Sequence, residues 1–109
     1  RSARFAIARC HAAPRGVSLP LQWNTEDGRR ETVRRLLPLC RHAVLHVHNH
    51  EPAEVALTLA RECGCTLVTT LHLPAPPVRA GVEQELLQRS RAVIAVSHWL
   101  AKLYPRIHA

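Results

Sequence analysis

The sequence lacks or is short of several residue types, and each shortage excludes something. It contains no Met, an initiator included, which points to residues upstream of Arg1. No apolar run approaches the roughly 20 residues that a membrane span requires. Arg1 to Cys10 also lacks the apolar segment and small-residue cleavage site of a secretory signal. Aromatic residues are few: Phe5, Tyr104 and two Trp. Bases would find few platforms to stack on, so nucleic acid is not the expected partner in spite of the basic charge.

What is present fits one domain. A chain of 109 residues that is 47% hydrophobic can bury a core and is not a disordered composition. The formal net charge is +7, and every basic residue except Lys102 is Arg. These Arg residues are scattered, a distribution that suits an anionic lipid surface or a phosphorylated substrate as well as it suits nucleic acid. Cys10, Cys40, Cys63 and Cys65 could form a disulfide framework. Cys63 and Cys65 are too close to bridge comfortably in an extended chain, and nothing else signals secretion. Reduced thiols in a cytoplasmic protein, soluble or peripheral at the inner membrane face, are expected.

From Ala43 onward the hydrophobic period switches back and forth. Ala43 to His48 is a short β-branched run, read as a strand. Pro52 suits the first turn of a helix. Ala56, Leu59, Ala60 and Cys63 follow at helical spacing, and Gly64 stands where a helix-ending glycine belongs. Thr66 to Leu71 is the next strand. Leu73 to Gly81, with Pro74, Pro76 and Pro77, reads as a loop; Val82, Leu86 and Leu87 mark a short helix. Ala92 to Val96 is the third strand, and Ser97 can cap a last helix carrying Leu100, Leu103 and Tyr104. Near-continuous apolar strands separated by helices predict an α/β fold: a Rossmann-like parallel sheet with helices on both faces.

The first 42 residues are less regular. Arg4 to Cys10 fits a further strand, Pro14 to Gly28 reads as loop and helix start, and Val33, Leu36, Leu37 and Cys40 form one apolar helix face. Pro38 is expected to kink that helix or to bring its end forward. The domain reading is therefore one partial Rossmann-like unit, poorly defined over 1–42 and built of repeated strand–helix units over 43–104.

Ligands of open parallel sheets bind beyond the carboxyl ends of the strands. Three polar groups fall there: His48-Asn49-His50, His72 and Ser97-His98. Polar residues gather at strand ends in any case, but three strands delivering them to one edge mark a candidate site.

The segment from Ala43 to Tyr104 resembles the amino-terminal domain of family 4 retaining glycosyltransferases, which have the GT-B fold. Val44-Leu45-His46-Val47-His48-Asn49 is similar to the family's first strand motif, with His42-Ala43 where Asp often stands. Leu67-Val68-Thr69-Thr70-Leu71-His72 is similar to its second. Ala92-Val93-Ile94-Ala95-Val96-Ser97 is similar to its third, with Arg91 in place of the usual Asp. The family's glycine-rich loop has no counterpart here, since Gly16 stands alone. The resemblance implies transfer of a sugar from a nucleotide-sugar donor to a sugar, lipid or small-molecule acceptor. It implies that His72 faces the transferred sugar as the catalytic residue, and that His48 and Asn49, with Ser97 and His98, line the acceptor side. Ser97 is also the natural cap of its helix, and His46 is expected deeper, as a satisfied core histidine. No cofactor and no metal is implied. The donor-binding carboxy-terminal domain of such enzymes is absent from these residues, so the chain alone is expected to be inactive.

Other chemistries compete. His46, His48 and His50 alternate as zinc ligands could, in a zinc-binding protein or metal-dependent hydrolase, if the strand continued through His50. Pro52 argues that it does not, and Asn49 and Glu51 stand where a hydrolase wants Asp. Cys40 and His42 with Cys63 and Cys65 could form a structural zinc site, although the spacing fits no familiar finger. A non-enzymatic Rossmann-like binding module is the third alternative.

Overall fold

The computed structural model describes the backbone of residues 5–8 and 17–20 and the whole of residues 21–104. Cys10 and the segments outside these ranges are not part of the description. Two strands, β1 (Phe5–Ala8) and β2 (Val17–Pro20), pair antiparallel as a small separate sheet. The reading of Pro14 to Gly28 as loop is corrected here. Val17-Ser18-Leu19 is too short to display a period, yet pairing with β1 makes it a strand that ends on Pro20.

The long helix α1 (Glu26–Cys40) starts at Thr25, whose side chain accepts from the Gly28 N–H at 2.9 Å. Glu26 and Asp27 sit in its first turn, where negative charge suits the helix dipole. The helix runs through Pro38 and ends at Cys40, two residues beyond it. Then follow β3 (Val44–His48), α2 (Ala53–Cys63), β4 (Thr66–Leu71), a 3-10 turn (Pro77–Arg79), α3 (Ala80–Arg89), β5 (Ala92–Ala95) and α4 (His98–Lys102). Strand β4 is central, with β3 and β5 parallel on either side. Gly64 closes α2 in the left-handed conformation (φ 67°), and its N–H donates to the Ala60 carbonyl at 3.0 Å. The loop expected over 73–81 is shorter than its prolines suggested. Pro77 opens the 3-10 turn, where its missing N–H costs nothing.

Alternate strand positions divide the sheet. Val47, Leu67, Leu71 and Val93 are buried beneath the helices. Val55, Ala56, Leu57 and Leu59 of α2 are all buried as well, because this helix lies between the sheet and α1. On the other face Val44, Ile94 and Val96 are 55%, 46% and 54% exposed, and His46 and His48 are exposed with them. The parallel α/β architecture is as the sequence predicts, but among the described residues the helices cover one face of the sheet only. The near-continuous apolar and β-branched run of β4 implied cover on both.

Loop and helix are tied together by one ion pair. Arg79, ending the 3-10 turn, donates to Glu54 of α2 (2.7 Å from Nη2 to Oε1) and to the His50 carbonyl at 3.0 Å. The hydrogen bond from Arg79 holds the Glu54 carboxyl below its ordinary range. Because the folded pKa is depressed, the pair contributes stability above the unfolded carboxylate pKa, and this contribution is lost as pH falls through the folded value. Arg79→Leu should therefore destabilise the chain at neutral pH by under about 1 kcal/mol, the pair being partly solvated. The gap between variant and parent in urea unfolding should close in acid; a gap that stayed constant with pH would show that the pair contributes nothing.

Candidate functional site

The carboxyl ends of β3 and β4 build one cluster. His48 is the last residue of β3 and pairs with Thr70, while His72 follows β4 directly, two positions further along the same face. This offset brings the two rings together: His48 Nδ1 lies 2.9 Å from His72 Nε2, with centroids 5.2 Å apart and planes at 27°. His46, two residues back on β3, packs behind His48 with centroids 4.4 Å apart and planes tilted by 32°. Its Nε2 meets the Thr70 hydroxyl at 2.6 Å. His46 is exposed, which corrects the expectation of a core histidine: it shares its side of the strand with His48, and among the described residues no helix covers that side. The buried polar member of this pair is Thr70, only 6% exposed.

Asn49 turns the chain out of β3 with a left-handed backbone (φ 62°), a conformation Asn tolerates better than most residues. Its N–H donates to the Thr70 carbonyl at 2.9 Å. Its side-chain oxygen accepts from the N–H groups of His72 and Leu73 at 2.7 and 3.2 Å. That oxygen thus holds the backbone of the neighbouring strand end, which leaves the side-chain NH2 as the group open to a ligand. Two changes separate these roles. Asn49→Ala should lose both hydrogen bonds and incur the left-handed strain, about 1–3 kcal/mol together at this half-buried position. Asn49→Gly should lose only the bonds, and so be about 1 kcal/mol more stable than the Ala variant in urea unfolding. Equal stabilities for the two would mean that the backbone conformation relaxes freely.

The other expected residues are placed as follows. The Ser97 hydroxyl caps α4, accepting from the Leu100 N–H at 3.1 Å. His98 is exposed in the first turn of that helix, and no contact joins it to His48 or His72. His50 is drawn the other way, its Nδ1 accepting from Arg79 Nε at 3.1 Å. His46, His48 and His50 therefore do not converge. Burial is the main cause that pushes the Cys40 thiol up to about 11 and the Cys65 thiol to about 12, so both stay protonated near neutrality and fill space as small apolar residues. Among the described residues no three His, Cys, Asp or Glu side chains are arranged to hold a metal ion.

A family model described as Glycosyltransferase Family 4 matches residues 2–108. The chain belongs to glycosyltransferase family 4. No curated protein and no solved structure matches it. Among the described residues of this family 4 chain, no helix is long and apolar enough to cross a membrane. The family 4 motifs marked His48, Asn49 and His72 singly; they gave no sign that Thr70 would anchor His46 or that Arg79 would draw His50 away. Only the alternation of His46, His48 and Thr70 on paired strands carried such a signal.

Proposed function

We propose that this chain is the acceptor-side, Rossmann-like domain of a retaining GT-B-type enzyme. Such an enzyme moves a sugar from a nucleotide-sugar donor to a sugar, lipid or small-molecule acceptor. The observation that supports it most directly is the cluster at the strand ends: His72 leaves β4 with its backbone held by Asn49 and its ring against His48. An imidazole so fixed can hydrogen-bond a sugar hydroxyl, or stabilise charge that develops at the reacting centre. His48 and the Asn49 amide are the adjacent candidates for acceptor contact, with Ser97 and His98 more peripheral. The basic surface would favour phosphorylated ligands or an anionic membrane face.

The donor would be bound chiefly by a second domain. The described residues contain a single parallel sheet of three strands, one Rossmann-like unit, so the chain by itself is expected to transfer nothing. Sugar transfer by an enzyme carrying both halves, measured with and without the His72 ring, tests the assignment. Lost turnover in a folded protein supports it, and normal turnover removes His72 from the reacting centre.

A further inference from the structure

The contact between His48 and His72 has a chemistry of its own. Two ring nitrogens 2.9 Å apart can hold one proton between them, donated by one ring and accepted by the other. If both nitrogens carried protons, two N–H groups would point at each other at hydrogen-bond distance, and the contact would be lost. We propose that His48 is a positioning residue for His72: the shared proton fixes the His72 ring, directs its Nδ1 away from the contact, and keeps the two rings from being cationic together.

Three features support this. The strands set the spacing, because His48 pairs with Thr70 and His72 lies one same-face position beyond, so the rings meet without any flexible loop between them. The ring of His48 is held from behind by His46 at 4.4 Å, and His46 is itself bound to the buried Thr70 hydroxyl. The backbone of His72 is held separately by the Asn49 side chain. Thus both ring and main chain of His72 are restrained from the carboxyl end of β3, by His48 and Asn49.

The charge environment agrees with the geometry. Burial, then His46 and His72 as like-charged neighbours, lower the proton affinity of His48. From β3 the titratable neighbour is His46, just beyond β4 it is His72, and β5 contributes the apolar Ile94 to this face. Among the described residues no carboxylate acts on His48 to compensate a second positive charge. Two imidazoles coupled in this way take up their protons in two separated steps that belong to the pair. The inference rests on the transfer-site reading for its role in turnover, but the coupled titration does not depend on that reading.

The first experiment is therefore a titration of the 109-residue chain itself, following the ring signals of both histidines by NMR from acid to alkaline pH. The two protonations of the pair should be separated in pH rather than coincident. That separation should be absent from His48→Leu. Independent single-step titration of both rings in the parent chain would overturn the shared proton. The second experiment measures turnover in an enzyme carrying both halves of the site. His48→Leu should lower kcat by up to about 100-fold, the scale of a misplaced reacting group, and this loss should exceed any rise in KM from a lost acceptor contact. His48→Asn places an amide near the position of Nδ1 and should recover part of that loss. A rise in KM at unchanged kcat would make His48 a binding group and sink its positioning role. Normal turnover in both His48 variants would do the same. If His72→Ala keeps full turnover while the coupled titration is seen, the transfer-site reading fails and the proton-sharing pair stands.

Discussion

Replacing His72 by Ala in an enzyme carrying both halves of the site should cut kcat by roughly 100- to 1000-fold, about 2.7–4 kcal/mol, the usual worth of one group that stabilises developing charge. The fold should survive. The His72 ring is exposed, and the N–H that Asn49 accepts from belongs to the backbone, which Ala retains. His46→Ala supplies the contrast. It removes the partner of the buried Thr70 hydroxyl, and leaving such a group unsatisfied costs about 1–3 kcal/mol. Its effect should therefore appear in the melting curve more than in turnover. Near-normal transfer by the His72 variant, or loss of transfer in the His46 variant alone, would reverse these roles.

Leu71→Ala should have the largest effect on stability, roughly 2–5 kcal/mol in urea unfolding of the 109-residue chain. Leu71 has no exposed surface, and it joins Val93 of β5 and Leu100 of α4 in the smaller of two apolar clusters. A cavity there loosens the central strand and the last helix together. Domains of this kind have only about 5–15 kcal/mol of total stability, so the loss is a large share of the whole. A change below about 1 kcal/mol would show that α4 collapses onto the strand and fills the space.

How much of this was legible in the sequence depends on the range of the interactions. Thr66 to Leu71 is a strand with the expected bounds, since a β-branched run between Gly64 and a proline-rich segment has no competing local structure. Gly64 and Ser97 perform the capping roles expected of them, because capping is decided within four residues. The strand Val17–Pro20 was not legible: its structure comes from pairing with Phe5–Ala8, which no local pattern records. In the site, the polar groups at the ends of β3 and β4 followed from alternation and topology. The contact between His48 and His72 did not, because it needs the register that sets His48 opposite Thr70. The exposure of His46 was missed for a similar reason. Burial at that position depends on whether a second helical layer covers the sheet, and the strand's own sequence looks the same in either case.

The uncovered face has a colloidal consequence. Val44, Ile94 and Val96 present apolar surface to water, and two such faces meeting would remove it at about 25 cal/mol per Å². Opposing that attraction is the mutual repulsion of chains that each carry a formal charge of +7. The repulsion is long-ranged only in dilute salt; its reach shrinks from about 30 Å at 0.01 M to about 3 Å at 1 M. For the 109-residue chain, added electrolyte therefore weakens the force that opposes association through this face, while the apolar attraction remains.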